Sequence, residues 1–155
     1  MPAASSSNVE TVERFIAAPA SAIFAIVADA SRHPEIDGSG TVRAATTGAG
    51  PLTLGSKFGM SMKAGVPYSM VNEVIEFEPD RLIAWQTTSP LPGVRLFVGG
   101  RIWRYELEPA ADGTLVRESW DISREKVKAM VRPLRGRTRE AMTATLERIA
   151  ALVTN

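Results

Sequence analysis

The only histidine in the sequence stands four residues before an aspartate, in "RHPEIDGSG", residues 32–40. His33 and Asp37 on one helical face would form a proton-transfer pair for acid–base chemistry. Pro34 falls between them and works against a regular helical turn. No side chain is placed by sequence to complete a nucleophilic triad. The glycines that follow point to a mobile segment. His33 and Asp37 are therefore expected at the entrance of a binding region, on a solvent-exposed short helix, and not as a catalytic dyad.

A second constellation lies in "RIWRYELEP" and "TLVRESWDIS". Strand alternation puts Arg101, Trp103, Tyr105 and Leu107 on one face, and Val116, Glu118 and Trp120 on one face of the next strand. If Trp120 points inward, so does Glu118, and a buried carboxylate needs a partner. Arg101 is the nearest basic candidate by strand order. The bland outcome is an ion pair at the rim of a sheet. The chemical one makes Glu118, Tyr105 and Arg101 the candidate catalytic groups. Glu118 would then be a polar anchor for a carbonyl or hydroxyl, or a general acid of raised pKa.

Composition removes other chemistries. There is no cysteine, hence no disulfide, thiolate nucleophile or iron–sulfur centre, and a lone histidine cannot build a multi-histidine zinc site. "GSG" at 38–40 and "GAG" at 48–50 lack the spacing and the strand–helix context of a phosphate loop. No metal and no cofactor are expected. A net charge of +1 points to neither nucleic acid nor membrane. Seven basic residues do crowd into "REKVKAMVRPLRGRTR", residues 124–139. That run suits a phosphate surface or an anionic lipid headgroup, but without interleaved aromatics it reads first as a solvated helix face, and no nucleic-acid partner is expected.

The elements that must position these groups follow from periodicity. "NVETVERFIA" reads as a strand. Pro19 then suits a first helical turn, with Ile23, Phe24 and Val27 at helical spacing. "SRHPEID" reads as a second short helix, interrupted before Pro34. From Thr41 the period is two. Phe58, Met60 and Met62 share a face. So do Met70, Asn72 and Val74, with Val71, Ile75 and Phe77 on the other. "RLIAWQTT", the Trp103 strand and the Glu118 strand complete an antiparallel meander. From Val127 onward one apolar stripe continues through Met142, Leu146 and Ile149. A long helix is expected from about residue 134, with Pro133 and Gly136 breaking or kinking it. The stripe should face Trp103, Tyr105 and Leu107. Residues 1–8 read as a disordered tail, and 9–155 as a single domain.

Strand, two short helices, about six more strands and a long helix resemble the helix-grip layout of the START-like, or SRPBCC, superfamily. "IAAPASAIFAIVADASRHPEI" resembles its opening helix and the segment after it, with Ile36 where tryptophan is often found. "LGSKF" is similar to the start of its following strand. "VIEFEPDRLIAW" and "WRYELEPAADGTLVRESWD" are similar to its two long hairpins. Within the superfamily these motifs resemble the polyketide cyclase/dehydrase-like proteins. The resemblance implies an α+β fold: a curved antiparallel sheet of about seven strands wrapped around the C-terminal helix, with a cavity between them. It also implies binding of a small hydrophobic molecule far more firmly than any reaction.

On that layout the concave sheet face is also the cavity wall. Met60, Met62, Met70, Asn72, Trp85, Trp103, Tyr105, Trp120 and Met142 are the expected ligand-binding residues. The methionines supply an adaptable lining and Asn72 a polar anchor. Three functions stay open. The first is carriage of a polyketide, lipid or isoprenoid; the second a cyclase or dehydratase using the same cavity; the third a chaperone-associated or protein-interaction module. A homodimer is left open too. No apolar run reaches the roughly 20 residues of a membrane span. Residues 15–30 imitate a signal peptide, but Arg14 is the only basic residue before the run, so a cytoplasmic protein is expected.

Overall fold

The computed structural model describes residues 8–39, 42–47, 50–64 and 66–154. Among these residues, seven strands form one antiparallel sheet in the order β1-β7-β6-β5-β4-β3-β2. They are β1 (Val9–Ile16), β2 (Val42–Thr47), β3 (Lys57–Ala64), β4 (Val66–Glu78), β5 (Leu82–Thr88), β6 (Gly99–Ala110) and β7 (Gly113–Asp121). Helices α1 (Ala20–Val27) and α2 (His33–Ile36) follow β1, and α3 (Lys128–Val131) leads into α4 (Arg135–Thr154). The expected tail lies mostly outside the described residues. Asn8, within them, is already tied down just before β1, its carbonyl accepting from Ile122 N–H at 2.8 Å.

Alternation decides which side of the sheet each residue takes. On β6, Tyr105 and Leu107 are buried with Met142, Leu146 and Ile149 of α4 in one core, and Trp103 packs against it half-buried. The long helix therefore lies across the face that its apolar stripe matches. On the outer face, Arg104 reaches across Ala84 to grip both carboxylate oxygens of Glu76, at 2.7 and 2.9 Å. That pair leaves Ala84 wholly buried without an apolar layer above it.

Four expectations need correction. Phe77 does not stay opposite Val74. The β4–β5 register slips between Val74 and Glu76, and this bulge changes the phase of the strand. Phe77 thus reaches the core, its ring 5.6 Å from Phe24. Pro34 does not interrupt the short helix but sits in its first turn, where a missing N–H costs nothing. Pro19 lies one residue outside α1 as its N-cap. Before α4, the break falls at Pro133, inside a 3-10 turn over Arg132–Leu134, while Gly136 is accommodated in the first turn of α4.

The segment after Asp37 is not a free flap. Gly38 N–H donates to Thr145 Oγ1 of α4 at 2.9 Å, and the Arg148 guanidinium bonds the Asp37 carbonyl. A Cβ on Gly38 would lie 2.2 Å from the Ala141 carbonyl oxygen. Glycine here lets the chain lie directly on the helix and tie it to α2.

Candidate functional site

Between the concave sheet face, α2 and the first half of α4 lies a cavity of about 370 Å³, within the usual size range of a small-molecule pocket. Period-two alternation supplies its sheet wall: Phe58, Met60 and Met62 from β3, Tyr68, Met70 and Asn72 from β4, Trp85 and Thr87 from β5, Arg101, Trp103 and Tyr105 from β6, and Glu118 from β7. His33, Ile36, Asp37 and Ser39 close one side. Leu134, Arg137, Thr138, Ala141, Met142 and Thr145 close the other, at the i, i+3, i+4 spacing of a helix face.

Glu118 is the outstanding polar group. It is buried at 3% exposure, and among the described residues its Oε1 has no hydrogen-bond partner. Burial pushes its pKa up to about 8. The Asp37 charge pushes the same way, and the hydrogen bond from Tyr105 opposes both. Tyr105, opposite it in register, is held well above the ordinary tyrosine value by burial and then by Glu118. At neutral pH the cavity thus holds a largely protonated carboxylic acid beside a phenol, two O–H groups in apolar surroundings.

Arg101 does not partner Glu118. In the β6–β7 register, Tyr105 faces Glu118 and Ile102 faces Asp121. Arg101 therefore lies past the end of β7, about 13 Å along the strand from Tyr105. Its Nε instead meets Glu125 Oε2 at 3.3 Å. Glu125 is itself buried, accepting from Gly99 N–H at 2.8 Å and Arg101 N–H at 3.0 Å. Gly100 is needed there: its φ is +115°, and a Cβ would sit 2.0 Å from the Arg124 carbonyl oxygen.

His33 lines the cavity, but not as an exposed entrance residue. It is buried, stacked on Trp85 at 4.9 Å and edge-on to Phe58 at 5.5 Å. Its Nε2 lies 2.8 Å from the Val27 carbonyl, which can only accept, so Nε2 carries the proton and Nδ1 is the basic nitrogen. Burial pushes its pKa down. The Asp37 carboxylate accepts from Ser39 N–H at 3.1 Å and Ser39 Oγ at 2.7 Å.

The nine expected ligand-binding residues separate into eight that line the cavity and Trp120, which does not. Trp120 is buried in the core at 2% exposure, opposite Trp103 in register but outside the cavity wall. Asn72 lines it with its amide engaged: Oδ1 accepts from Thr87 Oγ1 at 2.6 Å, and Nδ2 reaches the Phe58 carbonyl at 3.4 Å. Sequence reasoning missed Tyr68, Thr87, Arg137, Thr138 and Thr145. The parity of Tyr68 with Met70, and of Thr87 with Trp85, was the signal available for the strands. Thr138 falls within the helix stripe that periodicity gives, and Arg137 and Thr145 sit beside it; all three are polar, so only the packed geometry reveals them as cavity wall.

Over residues 9–154 the chain matches the model of a family described as polyketide cyclase/dehydrase and lipid transport. It is 42% identical over 108 residues to the uncharacterized protein Rv0088 of Mycobacterium tuberculosis. That match takes in 68% of this chain but only 44% of Rv0088, so the chain spans less than half the length of that relative. Among solved structures, protein CV1439 of Chromobacterium violaceum superposes with a TM-score of 0.74 at 15% identity, covering 96% of this chain and 99% of that one. DynU16, from the dynemicin biosynthetic locus, gives 0.65 at 16% identity, covering 93% of this chain and 46% of the other. The structural likeness concerns the fold alone, but the family match runs through every element that builds the cavity: the chain belongs to the polyketide cyclase/dehydrase and lipid-transport family.

Proposed function

We propose that the protein binds and carries a small, mostly apolar molecule bearing one hydrogen-bond-accepting oxygen, of polyketide, lipid or isoprenoid type, in the cytoplasm. Its apolar body would lie against the methionines, Trp85 and Trp103, and its oxygen would accept from Glu118. The unpartnered Oε1 of a buried acid inside an apolar cavity carries this reading. Such a group is costly to leave unsatisfied, and a ligand oxygen is its natural complement. A protein-interaction role would go with a filled interior, so the cavity favours a ligand.

A second reading has its own support. A carboxylic acid kept protonated near neutrality, beside a phenol, is a poised general acid. On a polyketide-like substrate it would protonate the carbonyl oxygen as an enol carbon of the same chain attacks that carbonyl carbon, or protonate the hydroxyl that departs as water, the proton lost from the substrate's C–H going to solvent. Native mass spectrometry of the protein from its own host tests the first reading. An apolar oxygen-containing ligand that co-purifies, and that Glu118→Gln binds with altered affinity, supports carriage. Recovery of a product changed in chromatographic retention at equal mass (ring closure), or lighter by one water (dehydration), after incubation with the released ligand supports the enzyme instead. Protein that is ligand-free under all growth conditions argues against both.

A further inference from the structure

The loop between β5 and β6, residues 89–98, sends Leu91, Val94, Leu96 and Phe97 into solvent, Leu96 at 70% and Phe97 at 61% exposure. Its one charged residue is Arg95. A second segment lies against the base of this loop. Lys126 N–H donates to the Gly99 carbonyl at 3.0 Å, and the Glu125 carboxylate holds Gly99 and Arg101 N–H. Onward from Lys126, residues 126–137 expose Met130 and Leu134 and include no acid; of their five basic side chains Arg135 is taken up by Glu10 of β1, which leaves Lys126, Lys128, Arg132 and Arg137. Leu134 and Arg137 also line the cavity, so this face borders its opening.

Exposed apolar side chains in this number call for a partner surface. We infer that this face docks on an anionic phospholipid bilayer, with Leu96, Phe97 and Met130 entering the boundary between headgroups and acyl chains and Arg95, Lys126, Lys128 and Arg132 meeting lipid phosphates. The charge pattern favours a bilayer over a protein. Protein partners are selected by shaped pockets and by mixed charges that fix register. Here the charges interleaved with the apolar tips have one sign, which is what a fluid anionic interface requires. The inference goes beyond ligand binding and does not need it, because the face would hold a vesicle with the cavity empty.

Vesicle flotation tests it, comparing phosphatidylcholine alone with a mixture containing roughly one-third phosphatidylglycerol. The protein is expected to float with the anionic vesicles and to leave them as salt rises. Each basic residue near such a surface is worth roughly fivefold in affinity, so K128E/R132E should bind at least about 25-fold more weakly. L96S/F97S should also lose binding. F15S is the control, since Phe15 is half-exposed beside Gly113, at the far end of β6. Circular dichroism checks that the variants fold. If a double variant does not, the salt series on the wild type decides, and salt-insensitive binding overturns the inference. Equal binding to both vesicle types overturns it. So does binding that survives both double variants, or capture by polyglutamate with none by vesicles, which would mark an acidic protein as the partner.

Discussion

Tyr105 and Glu118 stand directly opposite each other on β6 and β7, both buried, and both line the cavity between sheet and helix. The pairing explains why neither titrates at its ordinary value. Burial acts first on each, and the Asp37 charge adds to it. The Tyr105 hydroxyl donates towards the Glu118 carboxyl and offsets part of the shift. The same antiparallel register that builds the sheet thus places two O–H donors together in an apolar corner.

The first prediction concerns pH. Glu118 has an ordinary value of 4.5, and in the folded protein about 8. Between those values the folded state binds more protons than the unfolded state. Its contribution is therefore fully present below about 4.5, falls as pH rises towards 8, and is level above that. Glu118→Gln removes the titration, so the wild type should lose ground to the variant across this window, by on the order of a few kcal/mol. Denaturant unfolding of both proteins at several pH values measures it. Parallel curves would show that Glu118 is not held protonated.

His33 works in the opposite direction on pH. Its value is depressed, so its contribution is present above the ordinary 6.5 and is lost as pH falls. Its larger role is packing. The ring fills the space between Trp85 and Phe58 and satisfies the Val27 carbonyl. His33→Ala should cost about 2–4 kcal/mol, whereas a residue at an exposed rim would fall within roughly ±0.5. Chemical denaturation separates the two.

These two residues mark what the chain makes legible. The face shared by Val116, Glu118 and Trp120 is read from alternation alone, and so is the match between the Tyr105 strand and the helix stripe. What alternation does not carry is register between strands. By strand order the nearest basic partner for Glu118 is Arg101, yet the register gives Glu118 Tyr105 and leaves Arg101 to Glu125. Bulges are equally silent: nothing in "NEVIEFE" announces the slip at Ile75 that turns Phe77 inward. In the sequence, Pro34 and Gly38 make the surroundings of His33 read as a loose rim. Each of those residues has a tighter use, Pro34 in the first turn of α2 and Gly38 flat on α4.

Gly38 gives the third prediction. Its conformation does not demand glycine; the space does. A Cβ would meet the Ala141 carbonyl oxygen at 2.2 Å and Thr145 N at 2.6 Å, both backbone atoms of α4. Gly38→Ala should push the strap off the helix, breaking the bond to Thr145 Oγ1, at a cost of about 1–3 kcal/mol. Faster hydrogen exchange at Gly38 and Ser39 should accompany the loss. Unchanged stability and exchange would mean that the strap is not seated on α4.

Trp103 and Trp120 give the last, because they face each other in register yet do different work. Trp120 is core, at 2% exposure, while Trp103 is half-buried and forms cavity wall. Trp120→Ala empties a closed volume and should cost about 3–5 kcal/mol. Trp103→Ala opens its space onto a cavity already present and gives up less burial, so its cost should be nearer 1–3 kcal/mol. The order reverses for ligand. Trp103→Ala enlarges the pocket and removes an aromatic surface, so the co-purifying molecule should be lost or replaced by a bulkier one. Trp120→Leu, chosen to keep the core filled, should retain it. Urea denaturation and native mass spectrometry on the same preparations read both effects. Equal stability losses with identical ligand content would show that the two tryptophans share one role, and that the wall does not run where the cavity places it.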